Sequence, residues 1–539
     1  MSRFAWVATS LLLLFAVAIL AAQRACADDI ITIESGKLKG SSDTGRSVRI
    51  FRGIPFAAPP VGDLRWKAPQ PPKPWTGVRS ADKFGPACLQ TDVFGDIYFR
   101  DAQPSEDCLN LNIWLPANAP RKNLPVFVWF YGGGFVAGAN SEPRYDGENL
   151  ARKGVIVVEP NYRLGVFGFF SYPQLLKDSG HNSSGNYGLL DQVAALQWVI
   201  KNIAAFGGDP HNITIGGESA GSLSVSALMA SPLSRHLFQK ALGESGAFFP
   251  LGPDAGMQLR PVDETAHAGQ TFAESIGSKS LADLRAKPAD ELLQAAAKLN
   301  GGFAFSPNVD GYFLPADVAS IFANGQQSHV PLLAGWNADE GKMTVLFSPQ
   351  KPTSKSFSDL ARVQFNDAAP DFLKLYPAST DAEATRSAQD FAGDTFIVFS
   401  TWKWLDMQLK TGNAPVYHYL FQQVPKTKPG AMMGPIPAIE AGSKHAGEIE
   451  YVFETLKSQE GVVWADDDFK VSELMANYWA NFIKNGNPNA SGLPNWPASR
   501  KSDGYQVMYL NDASSHAAPF THRARYEFLD THAPAPLPK

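Results

Sequence analysis

Gly217-Glu218-Ser219-Ala220-Gly221 sets one serine between glycines two positions away on either side. This is the G-x-S-x-G pattern of a nucleophile held on a sharp strand-to-helix turn, where larger flanking residues would clash. The context agrees. Ile213-Thr214-Ile215 reads as a strand before it, and residues 220–230 read as a helix after it. Holding a serine in such a turn costs about 1–3 kcal/mol of backbone strain, which a structural serine has no reason to sustain. The helix also directs its positive N-terminal end at the hydroxyl. The chemistry in view is acyl transfer by Ser219; the bland alternative is a glycine-rich turn with a solvated serine. Gly243-Glu244-Ser245-Gly246-Ala247 imitates the pattern but breaks its spacing, so Ser245 is expected to pack or hydrogen-bond near the sheet end.

Acyl transfer needs amide donors for the developing oxyanion, each worth about 10²–10³ in rate. Tyr131-Gly132-Gly133-Gly134-Phe135 directly follows an apolar run over 126–130, and its glycines free the backbone to turn amides into a cleft. The amides of Gly133, Gly134 and Ala220 are the candidate donors. The phosphate-loop pattern G-x-x-x-x-G-K-[ST] is absent there. A serine also needs a histidine to take its proton and a carboxylate to orient that histidine. Asn337-Ala338-Asp339-Glu340-Gly341 follows a strand-like run and offers two competing carboxylates. Five histidines lie downstream: His418, His445, His516, His522 and His532. His418 sits in an apolar strand and reads as buried, whereas the last three lie in polar sequence and read as solvated. His445 stands in a loop ahead of an apolar segment.

These residues need a scaffold. Residues 126–131 and 155–158 are continuous apolar runs suited to strands buried on both faces. Residues 187–205 show helical spacing, and 471–484 read as a closing amphipathic helix. Further strands are expected at 241–242, 330–334 and 416–420. Strands alternating with helices predict an α/β fold with a large, mostly parallel central sheet flanked by helices. The stretch from about 255 to 400 predicts a helix-rich cap over one end of the sheet. No linker separates independent domains, so residues 28–530 are expected to form one domain. Residues 531–539 read as a proline-rich disordered tail.

Several motifs taken together resemble the type-B carboxylesterases, the cholinesterase-like branch of the α/β-hydrolases. They are Phe51-Arg52-Gly53-Ile54-Pro55-Phe56-Ala57, Ser105-Glu106-Asp107-Cys108-Leu109, the triple-glycine run, Asn161-Tyr162-Arg163-Leu164-Gly165, Gly207-Gly208-Asp209-Pro210 and the elbow at Ser219. The resemblance runs from about residue 30 to 530. It implies an α/β-hydrolase fold and a serine carboxylic-ester hydrolase working through an acyl-enzyme, with a small-molecule ester as partner and no metal or cofactor. The family's N-x-D-E-G pattern implies Glu340 as the acid, with Asp339 as fallback, and its H-x-x-E pattern implies His445 as the base, with Glu448 at the glutamate. Phe135, Glu218, Phe396 and Phe399 become candidate pocket walls. The interval between Cys88 and Cys108 holds no tryptophan, which argues against the choline recognition of true cholinesterases. An amidase or peptidase with the same triad is the enzymatic alternative. A non-catalytic adhesion-type binding module is the other.

Composition sets outer bounds. The 539 residues are 44% hydrophobic and 18% charged, which excludes a largely disordered chain. A net charge of −5 gives no footprint for nucleic acid. Residues 1–27 read as a secretory signal: Arg3, an apolar stretch over 11–20, and Ala25-Cys26-Ala27 as the cleavage site. A retained membrane anchor is the rival reading. With cleavage, no stable anchor remains and the chain is exported, periplasmic or secreted. Cys88 and Cys108 are then the remaining cysteines, and an oxidising compartment favours a bridge over two free thiols. The pair also falls where the family has its first disulfide. Oligomeric state is not legible.

Overall fold

A computed structural model describes residues 30–535 apart from 101–102, 118–121, 253–257, 427–429, 431, 434–435, 460–461 and 513. The expected signal over 1–27 lies outside the described residues. Runs of β-branched and aromatic residues bounded by glycine and proline become the strands of an eleven-stranded sheet. In chain order these are β1 (Ser41–Ser42), β2 (Val48–Pro55), β3 (Asn110–Pro116), β4 (Leu124–Phe130), β5 (Ile156–Pro160), β6 (Gly208–Glu218), β7 (Lys240–Glu244), β8 (Leu332–Asn337), β9 (Val416–Phe421), β10 (Gln506–Leu510) and β11 (His516–Pro519). The spatial order is β11-β10-β9-β8-β7-β6-β4-β5-β3-β2-β1. β4 to β10 are parallel; β1, β2, β3 and β11 run antiparallel to their neighbours at the two edges. The expected mostly parallel centre is therefore present.

Helices cover both faces, as buried parallel strands require. Those used below are α1 (Tyr187–Asn202), α2 (Ala220–Ala230), α3 (Asp381–Gly393), α4 (Phe399–Thr411) and α5 (Asp466–Asn485). Every residue of α2 is buried, which places the elbow helix inside the molecule. Between β7 and β9 the chain is mostly helical, with β8 inserted. α5 starts before the expected 471, because Asp468 folds back to accept the Ala465 amide at 2.8 Å and acidic residues favour a first turn. At the far end a helix spans Arg523–Thr531, and the Ala535 amide donates to the Gln364 carbonyl at 3.0 Å. Among the described residues no helix is long and apolar enough to cross a membrane.

Register aligns the strand ends that carry chemistry. Phe130 pairs with Gly217, Gly217 with Gly243, and Gly243 with Ala334 across β4, β6, β7 and β8. All four strands run the same way, so their following loops meet at one edge, where open α/β sheets bind ligands. Cys88 and Cys108 are joined by a disulfide with Cα atoms 4.9 Å apart. Beneath the glycine turn, Tyr162 stacks on Tyr131 with ring centroids 4.5 Å apart and donates its hydroxyl to the Tyr131 carbonyl at 2.7 Å. The next residue, Arg163, forks onto the buried carboxylate of Asp191 in α1, with Nε and Nη2 each donating at 2.7 Å and its own amide at 3.0 Å. Removing one partner of such a buried pair strands the other's charge, a loss of about 3–5 kcal/mol. Asp191→Ala should therefore lower the unfolding free energy by about that amount in urea titration, whereas breaking a solvent-screened pair such as Lys374–Asp371 should leave it essentially unchanged.

Candidate active site

The elbow is a backbone problem first. Ser219 sits at φ 53° and ψ −120°, between the end of β6 and the start of α2. A Cβ on Gly217 would lie 2.5 Å from the Phe130 carbonyl oxygen, and one on Gly221 only 1.9 Å from the same atom. Both glycines are thus required by the close approach of β4. The Ser219 amide donates to the Glu244 carbonyl at 2.9 Å, tying the elbow to β7.

Ser219 Oγ lies 3.0 Å from His445 Nε2, and His445 Nδ1 lies 2.7 Å from Glu340 Oε2. The sequence-derived serine, histidine and glutamate therefore meet in one hydrogen-bonded line. The other oxygen of Glu340 accepts from Ser245 Oγ at 2.6 Å and from the Asn337 amide at 2.9 Å. Asp339, the competing carboxylate, serves elsewhere. Its Oδ2 accepts the Ser443 amide at 2.8 Å and so holds the histidine loop. Asn337 Nδ2 donates to the Lys444 carbonyl at 2.7 Å and to Glu448 Oε2 at 2.5 Å.

The glycine turn packs against the elbow. A Cβ on Gly132 would stand 2.8 Å from the Glu218 carbonyl and 3.1 Å from Ser219 Cβ. Gly133, Gly134 and Phe135 all take positive φ, at 97°, 62° and 63°. Among the described residues the amides of Gly133 and Gly134 meet no acceptor, and Ala220, as first residue of α2, has no intrahelical acceptor either. The three amides are free to bind an external oxygen.

Burial raises the energy of every charge here. Glu218, Glu340 and Glu448 are buried around the His445 imidazole, and Glu244 is buried beside them with its carboxyl bonded to Trp479. Burial pushes the carboxyls of Glu218, Glu244 and Glu448 up. For His445 burial favours the neutral ring, but Glu218 (Oε1 3.2 Å from Nε2), then Glu340, outweigh it and hold the imidazole above its usual 6.5. His418, by contrast, is buried in β9 and pushed down to about 3 by burial, which fits a structural residue.

The pocket candidates separate. Phe396 stands against the His445 ring, centroids 5.1 Å apart at 73°. Glu218 touches the imidazole, as above. Phe135 is buried against Phe169 and Phe248, and Phe399 is buried against Trp402; among the described residues no ring contact joins either to His445. Sequence reading missed three participants. Ser245 does hydrogen-bond near the sheet end, as its broken motif predicts, and what the sequence does not reveal is its partner, the buried Glu340 carboxylate, met from a left-handed turn at φ 51°. Asn337 was visible as the first letter of its motif, without its role as a tie. Phe303 had no local signal; its ring lies where a Cβ on Gly134 would be, 2.5 Å from that point, and edge-on to Phe94 of the disulfide loop.

A hydroxyl, an imidazole and a carboxylate in this sequence, beside free amides, can activate the hydroxyl and stabilise an oxyanion. The comparisons agree with such a site. The profile of the Carboxylesterase family matches residues 27–529. The fumonisin B1 esterase of Sphingopyxis macrogoltabida is 36% identical over 485 residues, covering 86% of this chain and 83% of that protein. The para-nitrobenzyl esterase of Bacillus subtilis (strain 168) is 36% identical over 493 residues, covering 87% and 92%. A solved PNB esterase structure superposes with a TM-score of 0.79 at 33% identity, covering 93% of this chain and 99% of that one. A thermophilic PNB esterase gives 0.78 at 34% identity, covering 93% and 100%. With its α/β-hydrolase sheet and a match along nearly its whole length, the chain belongs to the carboxylesterase family and is a carboxylic ester hydrolase.

Proposed function

We propose that Ser219, His445 and Glu340 form the catalytic triad, with the amides of Gly133, Gly134 and Ala220 as the oxyanion hole. The observation that carries this reading is the unbroken line from Ser219 Oγ through His445 to Glu340, at 3.0 and 2.7 Å. Ser219 Oγ attacks the ester carbonyl carbon while His445 Nε2 takes its proton. The carbonyl π pair moves to oxygen, and the three amides bind that oxyanion. Collapse expels the alcohol oxygen, which takes the proton from His445 as the C–O bond breaks. Water then attacks the acyl-enzyme carbonyl, giving one proton to His445, and collapse breaks the Oγ–acyl bond, so that Ser219 Oγ takes the proton back from His445 as the acid departs. Glu340 keeps Nδ1 protonated and balances the imidazolium. No step calls on a metal or cofactor.

The substrate is a small-molecule carboxylic ester without a quaternary ammonium group, since the disulfide loop lacks the tryptophan that would face one. Residues 28–530 act as one catalytic domain. Export through the signal over 1–27, to the periplasm or medium, is supported by the Cys88–Cys108 disulfide, which oxidising compartments favour.

Ser219→Ala should lose at least about 10⁴-fold in kcat toward an aryl ester while keeping its circular dichroism and melting temperature. Labelling by a fluorophosphonate should vanish in the same variant. Turnover near that of the parent would remove Ser219 from the mechanism, and faster turnover of anilides than of matched esters would turn the reading toward an amidase.

The pH dependence follows from the surroundings of His445. A base must be neutral to accept a proton, so a raised pKa means activity appears as pH rises through that raised value. The acidic limb of kcat/KM should therefore lie above pH 6.5. Removing the Glu218 charge with Glu218→Gln should move the limb to lower pH. A limb at or below 6.5 in the parent, or one unmoved by the substitution, contradicts this account of the charges.

A further inference from the structure

Between α3 and α4 the chain leaves the α-helical register. Asp394–Val398 form a π-turn, where each amide reaches one residue further back and one extra residue enters the helix. Most of this turn faces inward. Ile397 and Val398 are buried, and buried Asp394 accepts the Tyr376 hydroxyl at 2.7 Å. Phe396 faces outward and stays 43% exposed, although a phenyl ring ordinarily gains from burial. Its edge-to-face partner is the imidazole of His445.

The platform beneath the ring is firmly tied. Gly341, next to the acid, approaches Gly393 so closely that a Cβ on it would lie 2.0 Å from the Gly393 nitrogen. Thr401 of α4 accepts the Gly246 amide at 2.8 Å, one residue beyond the serine that bonds Glu340. An extra residue in the helix thus turns an aromatic face toward the reaction centre, on a support shared with the catalytic acid.

The chemistry states which half of the substrate meets that face. The carbonyl oxygen goes to the glycine amides. The alcohol oxygen must lie near His445 Nε2, because the imidazolium gives it a proton as the C–O bond breaks. The group carried by that oxygen is thereby aimed past the imidazole, toward the ring that flanks it. The acyl group is under no such constraint.

We infer that Phe396 is the specificity-determining residue for the alcohol half of the ester, and that its exposed face favours planar aryl or benzylic alcohols over small ones. This rests on the acyl-enzyme mechanism proposed above. The alcohol has departed before deacylation, so Phe396 acts on acylation. Its effect should appear in kcat/KM, and esters of one acid should share a kcat wherever deacylation limits turnover.

The test uses purified full-length enzyme and two ester series: acetates of methanol, benzyl alcohol and 1-naphthol, and benzyl esters of acetic, butyric and hexanoic acid. In Phe396→Ala the benzyl-to-methyl ratio of kcat/KM should fall about tenfold, the scale of one lost aromatic contact, with Phe396→Leu in between. The three benzyl esters should fall by one common factor. An unchanged benzyl-to-methyl ratio, with all esters slowed alike, would mean that Phe396 only packs against His445 and would overturn the inference. So would a loss that depends on the acyl group. Fluorophosphonate stoichiometry separates the two readings: full labelling of Phe396→Ala keeps the acyl-enzyme mechanism standing whatever the ratio does. Labelling that persists in Ser219→Ala removes the mechanism itself.

Discussion

The molecule is organised around one forbidden-looking backbone angle. Ser219 holds a positive φ that residues with a Cβ rarely adopt, and such strain survives only where the surroundings over-determine it. Here they do. The Phe130 carbonyl of β4 presses into the space that side chains at 217 and 221 would need, β7 takes the Ser219 amide, and α2 is buried along its whole length. The neighbouring strand repeats the device. β7 is followed directly by Ser245 at φ 51°, whose hydroxyl meets the Glu340 carboxylate. Two adjacent parallel strands thus lead into two strained serines, one aimed at the imidazole and the other at the carboxylate behind it.

The second constraint is electrostatic. Three buried carboxyls, those of Glu218, Glu340 and Glu448, surround one imidazole with Glu244 buried beside them, and burial makes Glu218, Glu244 and Glu448 reluctant to ionise. Hydrogen bonds distinguish them. Glu340 receives Ser245, the Asn337 amide and the imidazole, which suits a carboxylate. Glu244 receives Trp479 on one oxygen, and its other oxygen has no partner among the described residues, which suits a neutral acid. Glu218 reaches the face of the site through Nε2 of His445. The result is a pocket that favours the imidazolium over the neutral ring.

The sequence displayed the parts of this machine that depend on near neighbours. The elbow, the triple glycine and the apolar run of β4 are local, because a strained turn and a buried strand each dictate their own residues. β3 escaped notice for a physical reason: Asn110 and Asn112 interrupt its apolar pattern, yet both are buried. Asn112 donates to the Asn140 carbonyl and accepts the Gly53 amide, so distant backbone satisfies what the local pattern left polar. β10, β11 and the helix at Arg523–Thr531 are short elements whose order comes from pairing, β10 with β9 and β11 with β10, and from packing on α4, not from periodicity. Phe135 and Phe399 illustrate the limit for pocket walls. Position near a motif placed them close in sequence to the site, but side-chain direction, fixed by a positive φ in one and by helical phase in the other, sends both into the core.

The pentapeptide at the end of β8 explains how loops far apart in sequence reach hydrogen-bonding range. Asn337 holds the Lys444 carbonyl and Glu448, on either side of the histidine. Asp339 holds the Ser443 amide and donates its own amide to the Ser443 carbonyl at 3.0 Å. Glu340 takes the imidazole, and Gly341 admits the cap backbone at Gly393. One strand end therefore sets the histidine's height, its ring orientation and the position of the π-turn that covers it. A histidine mounted on a free loop would wander by more than a hydrogen bond tolerates, whereas this one is tied on three sides to a strand buried in the sheet. The two carboxylates of the motif are then not redundant: the longer side chain reaches the imidazole, and the shorter one secures the backbone that carries it.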